Sequence, residues 1–159
     1  MIYLIGSLRN PKVPLVAKEL RQHGFDVFDE WYAAGPTTDE DWQRYESIRG
    51  RTYKEALAGK HAKDVFEFDL ANLKVSDIGV LVLPCGKSAH LELGWMIGQG
   101  KQGYILFDKE PERYDIMVQF ATGIFFDLEE LVCELKKPNR EETLARAKTI
   151  WQKYHDAIG

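Results

Sequence analysis

Two turns and one helix of this chain carry the residue types needed for chemistry on a small molecule. The first turn, Gly6-Ser7-Leu8-Arg9-Asn10, directly follows an apolar run at residues 2–5. Glycine lets the backbone approach a ligand closely. Serine offers a hydroxyl, and arginine can hold a phosphate in a two-pronged grip. The second turn, Cys85-Gly86-Lys87-Ser88-Ala89, follows an apolar run at 78–83 and Pro84. A helix is expected to start there and to carry Glu92 about one turn in. Ser88 can cap it, and its free amides and dipole then make an anion site.

Glu92 stands among Leu91, Leu93, Trp95, Met96 and Ile97. A carboxylate in so apolar a stretch is costly unless it is used or paired; the bland alternative is a solvated helix acid. Asp69 is the second acid of interest. On a helix expected over 62–75, Phe66, Leu70 and Leu73 define an apolar stripe, and Asp69 falls within it. An inward aspartate either caps and pairs locally or works. Asp77 reads as a turn residue.

Other motifs fail on spacing. Gly86-Lys87-Ser88 lacks the glycine that a triphosphate-binding loop needs five positions earlier, where Leu81 stands. No arginine follows Cys85 closely enough for a tyrosine-phosphatase-type nucleophile, so a small buried cysteine is the expectation. His23, His61, His90 and His155 show no metal-ligand spacing, and neither metal nor cofactor is expected.

These residues need a scaffold. Apolar runs at 2–5, 26–28, 78–83, 104–107 and 123–126 read as strands. Helices are expected over 11–23, 51–59, 62–75, 88–99, 127–136 and 140–157. Strands separated by helices predict an α/β fold with a five-stranded parallel sheet covered on both faces. Such sheets bind ligands in the crevice outside the carboxyl ends of their strands, and the first and third strands flank it. The segment 29–50 breaks the rhythm and contains Trp31, Tyr32 and Trp42. It is either a functional insertion or a surface loop with a short helix. The last helix has an apolar stripe (Leu144, Ala147, Ile150, Trp151, Tyr154) suited to packing on its own domain.

With 159 residues, the chain suits one domain. A formal charge of −4 argues against a general nucleic-acid surface but leaves room for a local basic pocket. No apolar run reaches membrane-spanning length, and the start reads as a strand rather than a signal peptide. Two cysteines suggest no disulfide framework, so a reduced, cytoplasmic protein is expected.

Taken together, these residues resemble the nucleoside 2-deoxyribosyltransferase superfamily, which includes the 2′-deoxynucleoside 5′-phosphate N-hydrolases and the CMP N-glycosidases. The likeness covers roughly residues 1–107. It rests on Tyr3 and Gly6-Ser7 with Arg9, on Asp69 followed by Asp77, and on the triplet Glu92-Leu93-Gly94. The resemblance implies a flavodoxin-like three-layer sandwich that cleaves an N-glycosidic bond. It implies Glu92 as nucleophile on the anomeric carbon, and Asp69 holding a sugar hydroxyl or handling the proton at the base. Tyr3 would orient the nucleophile, while Gly6, Ser7, Arg9, Gly86 and Ser88 would line the substrate and receive any 5′-phosphate. In the turn, CGKSAH replaces a more glycine-rich pattern, with His90 close to Glu92 where it narrows the sugar pocket or contacts phosphate. Asp115 is the nearest candidate for a late-chain residue that relatives contribute from a neighbouring subunit. These departures favour hydrolysis over base transfer. A homodimer or larger oligomer is expected by the same resemblance.

The substrate expectation is thus a nucleoside or its 5′-monophosphate. An NAD-cleaving or signalling glycohydrolase, and a non-catalytic nucleotide-binding module, remain as alternatives. For a nucleophile, the helix N-terminus must keep Glu92 ionised against the opposing effect of burial.

Overall fold

Short apolar segments form the sheet, and long amphipathic ones cover it. A computed structural model describes residues 1–138 together with Thr149, Ile150, Gln152, Lys153 and Asp156. Its strands are β1 (Ile2–Ile5), β2 (Val27–Phe28), β3 (Ile78–Val82), β4 (Gln102–Leu106) and β5 (Gly123–Phe125). All pair in parallel, in the order β2-β1-β3-β4-β5. The helices are α1 (Lys12–Gln22), α2 (Thr38–Ile48), α3 (Tyr53–Leu57), α4 (Lys60–Val75), α5 (Lys87–Gly98) and α6 (Leu128–Leu135). The architecture is α/β with a parallel sheet, as the alternating pattern predicts, and flavodoxin-like, as the resemblance implies. The strand order reverses between β1 and β3, which is where open α/β sheets leave room for ligands.

Period-two alternation sorts the strand side chains into two cores. Ile2, Leu4, Val80, Val82, Tyr104 and Leu106 pack with Val13, Val16, Ala17 and Leu20 of α1 and with Leu131 and Val132 of α6. Tyr3, Ile5, Leu81 and Ile105 pack on the other face with Leu73 of α4 and with Ala89, Leu93 and Met96 of α5. Burial on both faces explains why these strands read as continuous apolar runs.

One row of the sheet sets the height of α5. Phe28, Tyr3, Gly79 and Gly103 are successive neighbours across β2, β1, β3 and β4. A Cβ on Gly79 would lie 2.7 Å from Met96 Sδ, and one on Gly103 would lie 2.7 Å from Ile97 Cγ1 and 2.9 Å from Leu93 Cδ1. The two bare positions let α5 bed down on the sheet. Beside them, the Tyr3 and Phe28 rings touch at 5.1 Å between centroids, and Phe28 meets Phe68 of α4 at 6.0 Å. The far end of α4 is closed by Lys101, whose ammonium donates to the carbonyls of Leu73, Lys74 and Ser76 at 2.8, 2.7 and 2.5 Å. These are carbonyls that the helix end leaves without intrahelical partners.

Three features depart from the sequence pattern. Segment 29–50 is largely helical, with a 3₁₀ turn at Glu30–Ala34 followed by α2. Its helix was hard to see because only Glu46 is buried along it, so no apolar stripe marks it. Phe66 is not on an inward stripe: it is 63% exposed, whereas Leu70 is half-buried and Leu73 buried. The fourth strand starts at Gln102, two residues before the expected position. Of the helix expected over 140–157, the described positions are helical and the others lie outside the described residues. Among the described residues, no helix is long and apolar enough to cross a membrane.

Candidate functional site

Tyr3, Asp69 and Glu92 come together from β1, α4 and α5 on the face of the sheet that these two helices cover. Tyr3 is fully buried, and the two acids are half-buried. Glu92 follows Ala89 by three residues and precedes Met96 by four, and both of those are buried against the sheet. Helical spacing therefore turns Glu92 toward the same side. Asp69 precedes Leu73 by four and is turned inward likewise.

The three groups act on one another. Burial and, after it, the negative charge of Asp69 push the Glu92 carboxyl up to about 8. Burial also raises Asp69, while the Tyr3 hydroxyl that faces it pulls the other way. Tyr3 is driven far above the ordinary phenol range by burial and then by the charges of Glu92 and Asp69, so it stays a neutral hydroxyl. The sequence left the contest over Glu92 open, and burial wins. Glu92 is the sixth residue of α5, beyond the first turn where the helix dipole acts. Glu92 thus keeps its proton into the neutral range, beside the charge of Asp69.

The two turns meet at the carboxyl ends of β1 and β3. Asn10 is 4% exposed, and its Nδ2 donates to the carbonyls of Val82 and Pro84 at 3.4 and 3.3 Å. Its Oδ1 accepts from the Lys12 amide at 3.0 Å, at the start of α1. One buried amide therefore joins the β1 turn, the β3 turn and α1. Gly6 lies where a Cβ would meet Val13 Cγ2 at 2.8 Å and Trp31 Cη2 at 3.6 Å. Trp31 donates its indole N–H to the Leu4 carbonyl at 2.8 Å and packs against both cores. That bond fixes Trp31 as a structural prop, rather than a free plate for stacking on a base. Tyr32 meets Trp31 edge-on at 5.8 Å, and Trp42 faces His61 at 6.5 Å.

Several expected site residues have other engagements. Ser88 is not the cap of α5: Gly86 occupies that position, no side chain caps the helix, and Ser88 is an exposed residue of its first turn. A helix starting one residue earlier than expected moves the serine inside it. His90 folds back on the turn, its Nδ1 2.8 Å from the Gly86 carbonyl and 3.7 Å from Cys85 Sγ. Cys85 is half-buried, and burial followed by the charge of Glu92 raises its thiol to about 11. It is therefore an un-ionised thiol. Asp115 caps the 3₁₀ turn at Ile116–Phe120 by accepting from the Met117 amide at 2.9 Å, a local structural role. Asp77 pairs with the N-terminal ammonium at 2.8 Å, in keeping with its reading as a turn residue.

Ser7 accepts from the Arg9 amide at 3.2 Å. The Arg9 guanidinium is ion-paired with Glu40 of α2. Neither Asn10 nor Glu40 stood out in the sequence. The buried asparagine beside an arginine turn was a weak signal, and Glu40 sits in an acidic first turn with Asp39 and Asp41.

A cleft of about 460 Å³ lies on the other sheet face, between α1 and α6, bordered by Lys12, Leu15, His23 and Phe126. It contains none of the Tyr3, Asp69 and Glu92 group, and we give it no part in the chemistry. Among the described residues, no three His, Cys, Asp or Glu side chains gather as a metal site would require. No protein-family model matches the chain, and no curated protein matches it.

Proposed function

We propose that this protein cleaves the N-glycosidic bond of a nucleoside or nucleoside 5′-monophosphate, with Glu92 as nucleophile and water as the acceptor. The observation that carries this reading is the convergence of the Glu92 and Asp69 carboxyls on the buried Tyr3 hydroxyl, with burial and the charge of Asp69 raising Glu92. Departure of a nucleobase builds positive charge on the anomeric carbon. A carboxylate stabilises that charge and closes on the carbon as a glycosyl ester. The base leaves with the electron pair of the broken C–N bond and takes up a proton; the reactive form is the minor one in which Glu92 is ionised and the proton sits on Asp69, which gives it up. Water then attacks the ester; its proton returns to the acid, and Glu92 is released as the carboxylate, in parallel with retaining glycoside hydrolysis. Tyr3, held neutral, hydrogen-bonds to Asp69 and orients it.

Strongly perturbed titratable groups cluster at functional sites. The resemblance of the Gly6-Ser7, Asp69 and Glu92-Leu93-Gly94 segments supports the same reading. A second copy of the chain would supply what one copy leaves open: Phe66 is 63% exposed, Phe68 53% and Leu91 75%, all on the two helices that carry Asp69 and Glu92. Such surfaces mark interaction sites. The two free cysteines, Cys85 and Cys133, suit a cytoplasmic protein.

The test is release of free base from deoxycytidine, dCMP, dGMP and CMP. We expect turnover of at least one of these, reduced by ~10³-fold or more in Glu92→Ala. Full activity in that variant, with its fold intact, would remove Glu92 as nucleophile. No base release from any nucleoside or nucleotide would overturn the proposed activity.

A further inference from the structure

We infer that Lys101 is a positioning residue for the acid pair: it latches α4 to α5 where both helices end, and so holds Asp69 and Glu92 at a fixed separation. The inference rests on the role proposed for those two acids. Lys101 follows closely on the end of α5, and its amide donates to the Met96 carbonyl of that helix at 3.1 Å. Its backbone therefore belongs to α5, whereas its side chain serves α4. The ammonium lies 5.8 Å from the centre of the Trp95 ring of α5 and donates to the carbonyls of Leu73, Lys74 and Ser76 at the end of α4. An ammonium has three donors, and α4 takes all three. Bonds from a cation to carbonyls are among the stronger hydrogen bonds, and the ring face adds a further attraction.

Packing alone holds the two helices unequally. α5 buries Ala89, Leu93 and Met96, whereas Leu73 is the one buried residue of α4, and Phe66 and Phe68 face water. Apolar contact is non-directional, so a thin apolar seat leaves a helix free to slide and roll. Three directional bonds at the end of α4 remove that freedom. Asp69 and Glu92 each lie six residues before the last residue of their helix, about 9 Å along the axis. The acids thus stand at matching heights above one common latch.

The groups that face Glu92 are Asp69 from α4, Tyr3 from β1 and Cys85 from the turn after β3. Of these, Asp69 alone rides on α4. Releasing the latch lets Asp69 drift and admits water to the pair, and both changes relax Glu92 toward its ordinary carboxyl range. Loss of a nearby cation by itself would push a carboxyl the other way. The sign of the change therefore separates positioning from a simple charge effect.

The experiment follows the Glu92 side-chain carboxyl carbon by NMR against pH, with Glu92→Gln identifying its signal, in wild type, Lys101→Met, Lys101→Arg and Lys74→Met. Methionine keeps a long stem for Trp95 but has no donor, and circular dichroism checks the fold. We expect the Glu92 midpoint to fall by about one pH unit in Lys101→Met, to stay near the wild-type value in Lys101→Arg, and to be unmoved in Lys74→Met, which removes a cation at the same helix end. The rising limb of kcat/KM against pH should move with the midpoint. Should Lys101→Met fail to fold, Lys101→Gln must show a fall in the same direction. An unchanged or raised midpoint in the folded variant would overturn the inference, as would an equal fall in Lys74→Met. The titration needs no turnover, so a protein that releases no base yet shows the Lys101 effect would refute the glycosidase reading alone.

Discussion

Tyr3 lies directly beside Gly79 in the β1–β3 ladder, and the missing side chain at Gly79 is what lets Met96 settle onto the sheet. The position of the helix that carries Glu92 is therefore set by a residue with no chemistry of its own. An alanine Cβ at position 79 would come within 2.7 Å of Met96 Sδ and 3.2 Å of Ile5 Cδ1. Met96 is fully buried, so its thioether has little room to yield. We expect Gly79→Ala to cost about 1–3 kcal/mol, which for a chain of this size lowers the melting temperature by several degrees. Gly98→Ala is the control, because nothing lies within 4 Å of a Cβ there. Equal melting temperatures for the two variants would show that α5 is not seated as described.

The raised Glu92 carboxyl makes stability depend on pH in a definite direction. Between its unfolded value of 4.5 and about 8, the folded chain holds a proton that the unfolded chain has released. The contribution of Glu92 to stability is therefore fully present below pH 4.5, and it is lost as pH climbs toward 8. Glu92→Gln cannot lose that proton. Its melting temperature relative to wild type should rise by several degrees between pH 5 and pH 8, read by thermal denaturation at both values. A difference that stays constant would mean that Glu92 titrates as an ordinary surface acid. In the active wild type, kcat/KM should climb across the same window, because the attacking form is the carboxylate.

Phe66 tests assembly. Its exposure on α4, the helix of Asp69, suits contact with a second copy. Phe66→Glu should convert a dimer to a monomer in sedimentation while leaving the circular dichroism spectrum unchanged. Leu15→Glu, on the opposite sheet face and 65% exposed, should leave the oligomer intact. A wild-type chain that sediments as a monomer at all accessible concentrations would sink this expectation.

The architecture was legible because each strand is a short apolar run flanked by a helix of clear period, as in residues 2–5 followed by Val13, Val16, Ala17 and Leu20. Asp69 and Glu92 could be singled out because acids in apolar stretches stand out against their neighbours. The effect of Asp69 on Glu92 could not be read, since α4 and α5 are brought together only by packing on the same face of the sheet. Phe66 differs for a related reason: an aromatic on a helix looks like core in the sequence whether or not the sheet covers it. Ser88 misled by a single residue of helix phase. The helix of segment 29–50 was hidden by its polarity, and with it the partner of Arg9.

Asn10 makes a single rigid body of two loops that are more than seventy residues apart in the chain. The backbone that presents Arg9 and the backbone that launches α5 hang from the same primary amide, so neither can shift without straining the other. Hydrogen exchange over residues 86–90, compared between wild type and Asn10→Ala, would register the loss of that mechanical link as faster exchange; unchanged rates would mean that the loops are independent.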